Sequence, residues 1–152
     1  KIVGALVEND FEEFVGIKVH NYYWQQELNC AMTTLKILSE KFEIPLNKQV
    51  IDAAIGMHGA GGFRAQCGLV EGTLMFLGIF GRHHELPDQK TVKLCYNFAS
   101  EFQTRFGSLL CRELRPEGFH PDNPPHLCEQ LTKNAIIFAV EYIADSQRKG
   151  EE

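Results

Sequence analysis

Residues 63–80 read FRAQCGLVEGTLMFLGIF, and their apolar pattern is the strongest indication of the fold in this sequence. Its apolar side chains fall on nearly every side of a helical projection, which predicts a helix buried in the middle of a bundle. Apolar spacing, capping residues and terminal glycines or prolines predict five further helices, at residues 10–26, 29–44, 48–57, 88–106 and 125–147. The expected fold is all-α: a compact single-domain bundle of about six helices over residues 1–152.

The composition excludes several classes of protein. The chain has 152 residues, a net charge of −5 and no cluster of Lys and Arg, so a nucleic-acid backbone is not an expected partner. The longest apolar stretch, residues 74–80, is too short to span a bilayer. No signal-peptide pattern opens the sequence, so we expect a cytoplasmic protein without a membrane partner. A homodimer is expected, since symmetric dimers are the commonest soluble assembly.

Four of the five cysteines lie where predicted helices begin: Cys30, Cys67, Cys111 and Cys128. Cys30 follows the capping residue Asn29, and Cys67 follows the glycine run of residues 59–62. Cys111 comes shortly after Ser108, and Cys128 follows the Asn-Pro-Pro of residues 123–125. Unpaired N–H groups and partial positive charge at a helix start favour the thiolate. Thiolates bind metals and take part in redox chemistry.

The fifth cysteine, Cys95, has a different setting. It lies in the middle of the predicted helix 88–106, on an apolar stripe with Val92, Ala99, Phe102 and Phe106. A cysteine on a buried helix face usually acts as a small apolar residue. We therefore expect Cys95 to pack in the core and to take no part in a site.

Three interpretations of the four cysteines are open on the residues alone. Their thiolates could together bind zinc or an iron–sulfur cluster. One pair could instead cycle between dithiol and disulfide, which requires Cα atoms less than about 7 Å apart. The third interpretation is a helical binding or assembly module with thiols scattered through its core. Sequence spacing does not decide, because the four residues belong to different helix starts.

Residues 67–72, CGLVEG, resemble the Cys-Gly-Ala-x-x-Gly motif of the C_GCAxxG_C_C family of small bacterial proteins. The resemblance extends to the Asn-Cys-Ala of residues 29–31 and to residues 106–114, FGSLLCREL, and covers about residues 10–145. One departure is Leu69, where the motif has alanine. The family is described as redox-active, and its characteristic cysteines correspond to Cys30, Cys67, Cys111 and Cys128.

The resemblance also implies that the protein has an iron site. A related module in split-Soret-type cytochromes suggests an iron–sulfur cluster or a related iron site held by the four cysteines. The resemblance therefore implies an electron-transfer protein with a separate redox partner protein. The chain has no Cys-x-x-Cys-His sequence, so a covalently attached haem is not expected.

Four glycines are candidate cofactor-binding residues: Gly61, Gly62, Gly68 and Gly72. Gly68 and Gly72 each cost a helix about 1 kcal/mol relative to alanine, so they indicate either a close helix approach or room for a cofactor. Gly61 and Gly62 belong to a run that could bind an anion at a helix start. That run lacks the Lys-Ser/Thr ending of a phosphate-binding loop, so a nucleotide site is not expected.

Other polar and aromatic residues near the cysteines are weaker candidates. His58 and His126 could act beside the thiols or be turn residues. Three arginines, Arg64, Arg112 and Arg115, would each favour a thiolate or an anionic cluster. The consecutive aromatics of residues 22–24 face different directions on a helix, so at least one should be exposed.

Overall fold

The computed structural model describes the backbone of residues 2–151 and the side chains of residues 9–150. Within this part the chain is helical, apart from turns and one isolated antiparallel bridge between Gln66 and Leu110. In chain order the helices are α1 (Ile2–Trp24), α2 (Cys30–Phe42), α3 (Lys48–Ala53), α4 (Gly59–Gly62), α5 (Gly68–His83), α6 (Asp88–Phe106), α7 (Cys111–Leu114) and α8 (Glu129–Glu151). The predicted all-α class is confirmed.

The apolar helix of the central sequence is α5, and it lies in the middle of the bundle as predicted. It packs against α2, α6 and α8, and the contact between α2 and α5 is the most extensive of any helix pair. Its buried apolar side chains are Leu69, Val70, Phe76, Leu77 and Phe80. A smaller core joins α1 to α2 and α8. No helix among residues 2–151 combines the length and apolar composition that crossing a bilayer requires.

Close helix contacts depend on two glycines of α5. A Cβ atom on Gly72 would lie 2.7 Å from the carbonyl oxygen of Ala31 and 3.1 Å from Cβ of Thr34, both in α2. A Cβ atom on Gly81 would overlap the side chain of Thr91 in α6. The prediction of a close helix approach is therefore right for Gly72, and the absent side chain brings α2 and α5 together.

The start of α5 is the main difference from the predicted helices, because it lies at Gly68 instead of residue 63. Gly59, Gly61 and Gly62 have φ angles of 64°, 67° and 83°, and Arg64 has a φ of 71°. A right-handed helix cannot include these left-handed residues, so α5 starts only after Arg64. Glycine adopts this conformation without strain, whereas Arg64 adopts it as a non-glycine residue. Gln66 is then extended and paired with Leu110.

Other helix boundaries differ for local reasons. Helix α8 begins at Glu129 and not at residue 125, because His126 has a φ of 61°. Helix α1 begins at Ile2, so residue 10, where the predicted helix starts, is an exposed position inside a longer helix. Helix α3 ends at Ala53, and the short helices α4 and α7 were not predicted. The bounds of α6 and the start of α2 are as predicted.

The predicted buried face of α6 is partly wrong. Val92 is 66% exposed, whereas Phe98, which was not on the predicted stripe, is fully buried beside Phe102. Phe98 and Phe102 are one turn apart, and they pack with Phe138 and Tyr142 of α8. Cys95 is half-buried against this core, in keeping with a packing role.

Candidate four-cysteine site

Cys30 is the first residue of α2, and Asn29 fixes its position. The backbone N–H of Met32 donates to Oδ1 of Asn29 at 2.9 Å, so Asn29 caps the helix as predicted. The other end of the same amide donates to the carbonyl oxygens of Ala54 and Ile55, at 3.1 Å and 2.9 Å. One side chain therefore ties the start of α2 to the turn that follows α3.

Cys67 and Cys111 are brought together by the antiparallel bridge. The Cys67 N–H donates to the Leu109 carbonyl at 2.8 Å, and the Cys111 N–H donates to the Ala65 carbonyl at 2.7 Å. Each cysteine is one residue from the bridged pair of Gln66 and Leu110. Because side chains alternate along extended chain, both cysteines face away from that pair, on the same side. Cys67 then leads into α5 and Cys111 into α7.

Cys128 is at the start of the last helix. Its carbonyl oxygen accepts the first hydrogen bond of α8, from the N–H of Thr132 at 2.8 Å. All four cysteines therefore lie at helix starts, as predicted, although the structure moves the beginnings of α5 and α8 along the chain. No disulfide is present among the five cysteines.

These helix starts surround one cavity of about 320 Å³. Three of the cysteines line it directly: Cys30, Cys111 and Cys128. Other lining residues include Tyr23, Glu27, His58, Gly62, Arg64, Arg115, Phe119 and His126. Cys67 is the most buried of the four at 6% exposure and does not line the cavity, although the glycine that follows it packs on Sγ of Cys30.

Glycines let two sulfur atoms approach the backbone. A Cβ atom on Gly68 would overlap Sγ of Cys30, and it would lie 3.0 Å from the Met57 carbonyl oxygen. A Cβ atom on Gly59 would lie 3.3 Å from Sγ of Cys111, at a φ of 64°. The glycine after Cys67 therefore makes room for the sulfur of Cys30. This is a packing reason for the Cys-Gly sequence.

Burial raises the pKa of every cysteine in the site. It raises the pKa of Cys30 to about 12, with further increases from Cys67, Cys128 and Cys111. Burial also raises the pKa of Cys67 to about 12. The backbone N–H groups of Leu69 and Val70 oppose this increase in part. The helix-start amides favour the thiolate as expected, but desolvation outweighs them, so the net shift of both pKa values is upward.

Nearby arginines oppose the increase in pKa at Cys111 and Cys128. Burial raises the pKa of Cys111, and the guanidinium groups of Arg115 and Arg64 oppose it. Burial also raises the pKa of Cys128, opposed by Arg115. Arg112 is exposed and does not line the cavity, so the expected role of Arg112 has no support in the structure.

Cys95 serves as an internal comparison. Burial alone raises the pKa of Cys95, with no contribution from another cysteine. The four other sulfurs interact with one another. The division into four cysteines and one, first drawn from the sequence, is therefore also present in the structure.

Of the remaining residues that the sequence singled out, some line the cavity and others do not. Gly62 lines the cavity, whereas Gly61 is exposed and has nothing near the position of a Cβ atom. His58 lies 3.3 Å from the Asn29 amide nitrogen, and His126 stacks on Tyr23 with ring centroids 5.3 Å apart. Both histidines line the cavity. Helix α4 has only four residues, so the glycine run has no extended helix start at which to hold an anion.

Sequence reasoning missed two aromatic residues of the site. Tyr23 is buried, forms a 2.6 Å hydrogen bond with Thr132, and has a pKa raised by burial and by Cys30. Its neighbour Trp24 is 48% exposed, which confirms that one aromatic of this run faces solvent. Phe119 lies between two arginines in an irregular loop, and no motif marks it.

A single metal ion needs several ligand side chains that converge on one point. Among the described residues, no group of three or more His, Cys, Asp or Glu side chains is placed to hold one ion. Zinc in a Cys₄ site holds its four sulfurs at about 2.3 Å, which forces them into mutual contact. The donor set therefore suits thiolate chemistry, but the sulfurs are not gathered around one point.

The raised pKa values predict an order of thiol reactivity. Only the thiolate reacts with iodoacetamide, so at pH 8 Cys30 and Cys67, with pKa values near 12, should react about a thousandfold more slowly than in the unfolded chain. Cys111 and Cys128 should react first within the site, and the Cys30 rate should keep rising above pH 10. Peptide mass spectrometry of the reduced, metal-free protein measures each rate. Fast labelling of Cys30 at pH 8 would contradict the prediction, with Cys95 as the reference outside the site.

A family model matches most of the chain. The match spans residues 28–142 and includes all four cysteines of the site; the family is described as "Putative redox-active protein (C_GCAxxG_C_C)". No curated protein and no solved structure shows a match to the chain.

Proposed function

Because the chain belongs to the C_GCAxxG_C_C family, whose description is redox-active, we propose that its four clustered cysteines bind an iron–sulfur cluster and that the protein carries electrons. The observation that carries this proposal is that Cys30, Cys111 and Cys128, from three separate segments, line one cavity, while Cys67 lies close to Cys30 and Cys111 and Cys95 lies elsewhere. In this proposal the ligands are Cys30, Cys67, Cys111 and Cys128. When bound, such a cluster supplies reversible one-electron chemistry.

The spacing of the sulfurs supports a cluster over a single metal ion. No three ligands converge on one ion position within the described residues. In a [4Fe–4S] cluster each cysteine binds its own iron atom, so the ligands lie farther apart than the four ligands of one zinc ion. Cys67 and Cys111 lie on the same side of the bridge and two positions out of register, where residues are about 7–8 Å apart.

Binding of a cluster depends on the protonation state of the four cysteines. Sulfur must lose its proton to become a ligand, and burial together with the neighbouring sulfurs makes that loss costly in the metal-free protein. Arg64 and Arg115 oppose this cost at Cys111. We therefore expect the four sulfurs to remain thiols until a cationic centre displaces their protons, and we expect loading to weaken as the pH falls.

A thiol–disulfide protein is the second candidate, because the bridge brings Cys67 and Cys111 near each other. Diagonal neighbours in an antiparallel pair are about 7–8 Å apart, at the upper limit of what a disulfide spans. A pKa near 12 also leaves Cys67 a poor nucleophile at neutral pH. These two features favour the cluster. The third possibility, an assembly module, predicts scattered thiols, and the thiols are not scattered.

The partner and the location follow from the same proposal. An electron carrier needs a second protein to exchange electrons with, and we propose such a partner without assigning its identity. The five cysteines are all free, which suits a reducing compartment, so we propose that the protein acts in the cytoplasm.

Replacing each ligand in turn tests the proposal. Anaerobically purified protein should contain iron and acid-labile sulfide and show visible absorption. Each of Cys30→Ser, Cys67→Ser, Cys111→Ser and Cys128→Ser should lose most of the iron and sulfide, because a serine oxygen is a poor substitute for a thiolate in such clusters.

The matched control is Cys95→Ser, which changes a half-buried cysteine on α6 and should keep full iron and sulfide content. Equal loss in this control would show that the series reports folding instead of ligation. Iron-free wild-type protein in which two of the four thiols oxidise reversibly would replace the cluster with the disulfide candidate.

A further inference from the structure

Two arginines border the cysteine cavity from different segments. Arg64 lies in the left-handed turn before α5, and Arg115 directly follows α7. Both side chains lie against the ring of Phe119, with guanidinium carbons 4.1 Å and 4.5 Å from its centroid. Arg115 Nε also donates to the Gly118 carbonyl at 2.9 Å. The aromatic ring therefore holds two positive charges at the cavity edge, each within 4.5 Å of its centroid.

Most N–H groups of these two guanidinium groups remain available. A contact with an aromatic ring uses the flat face of a guanidinium, while its five N–H donors point outward in the plane. Within residues 9–150, no carboxylate lies within ion-pair distance of Arg64 or Arg115. Arg82 and Arg148, by contrast, each pair with an aspartate. Glu27 also lines the cavity, but it forms no ion pair with either arginine.

These charges act inside the cavity and not only on the outer surface. Arg64 and Arg115 line the same cavity as Cys111 and Cys128. Arg64 is exposed, which leaves the cavity open to solvent on its side. The volume of about 320 Å³ is at the small end of the range for small-molecule sites. A small anion could enter past Arg64 and reach the thiols.

We propose that Arg64 and Arg115 form a binding site for a small oxyanion next to Cys111 and Cys128. Two planar forks offer paired N–H donors, the arrangement that matches the oxygens of a carboxylate, phosphate, sulfate or nitrite ion. The inference concerns binding alone and, because three proposed cluster ligands line the same cavity, it is tested on protein of measured iron content. Its ligand would nonetheless lie within reach of the proposed redox centre, in the position of a substrate.

Calorimetric titration of the full chain with three probe anions tests this inference. Anaerobically purified protein is titrated with sulfate, phosphate and nitrite at low ionic strength, where screening is weakest. At least one probe should bind saturably, and Arg64→Gln and Arg115→Gln should each weaken it at least about tenfold, because each removes charge-assisted hydrogen bonds. Arg115→Lys, which keeps the charge but loses the fork, should bind with intermediate affinity.

Arg112→Gln is the matched control, since Arg112 is also beside Cys111 but is exposed and outside the cavity. It should bind the probe like the wild type. Equal weakening in this control would overturn the proposal, since it would mean that general surface charge attracts the anion. Unchanged affinity in both cavity variants, or no saturable binding of any probe, would also overturn it. Helical content by circular dichroism and iron content are measured on every preparation.

Discussion

Replacing Gly68 by alanine is expected to remove the iron–sulfur cluster and to destabilise the metal-free protein by about 1–3 kcal/mol, in the range of overpacked cores. The added methyl group would overlap Sγ of Cys30. It would also lie 3.0 Å from the Met57 carbonyl oxygen and 3.1 Å from the Ala31 backbone nitrogen. A new rotamer of Cys30 could relieve the overlap with its sulfur, but the two backbone contacts would remain. The Cys30 sulfur must therefore leave its present position, and the start of α2 must shift.

Gly78→Ala is the matched control for this variant. Gly78 belongs to the same helix, and nothing lies within 4 Å of the position of its Cβ atom. Alanine there should keep the iron content and add stability of about 1 kcal/mol, from helix propensity alone. Iron-to-protein ratios and urea unfolding of both variants give the comparison. If Gly68→Ala behaves like Gly78→Ala, the packing reason for the Cys-Gly sequence is wrong.

The second large effect is expected at Gly72, where alanine should separate α2 from α5. Its methyl group would lie 2.7 Å from the Ala31 carbonyl oxygen and 3.1 Å from both the Ala31 Cα and the Thr34 Cβ. These atoms belong to the most extensive helix contact of the bundle. The expected loss is about 1–3 kcal/mol in the free energy of unfolding, despite the better helix propensity of alanine.

Urea unfolding measures this loss in the metal-free protein, which removes any contribution from a bound cluster. Gly78→Ala again supplies the control on the same helix. An unfolding midpoint for Gly72→Ala equal to or above that of the wild type would contradict the close packing of α2 on α5.

The sequence predicts helices best where both ends carry local signals. Helix α6 has the predicted bounds because Pro87 precedes it and Gly107 ends it with a φ of 93°. Helix α2 begins as predicted because Asn29 caps it. The start of α5 was misplaced because it depends on Arg64, a non-glycine residue in left-handed conformation, and on pairing with a segment more than forty residues later. Neither feature has a local sequence signal.

The candidate site was partly predictable for similar reasons. Position at helix starts selected Cys30, Cys67, Cys111 and Cys128, because capping patterns are local. Their proximity depends on tertiary contacts, which the spacing of 37, 44 and 17 positions does not determine. The sequence indicated the helix-start amides that lower the thiol pKa values, but not the burial that raises them more. Phe119, between two arginines, belongs to a loop without a motif.

Native mass spectrometry of the anaerobically purified chain shows whether the four cysteines hold a cluster, because it weighs the chain together with its bound atoms. The expected mass exceeds the sequence mass by one iron–sulfur cluster per chain in the wild type and in Cys95→Ser. A chain at its sequence mass, or lighter by the hydrogens lost in forming a disulfide among the four cysteines, would contradict it.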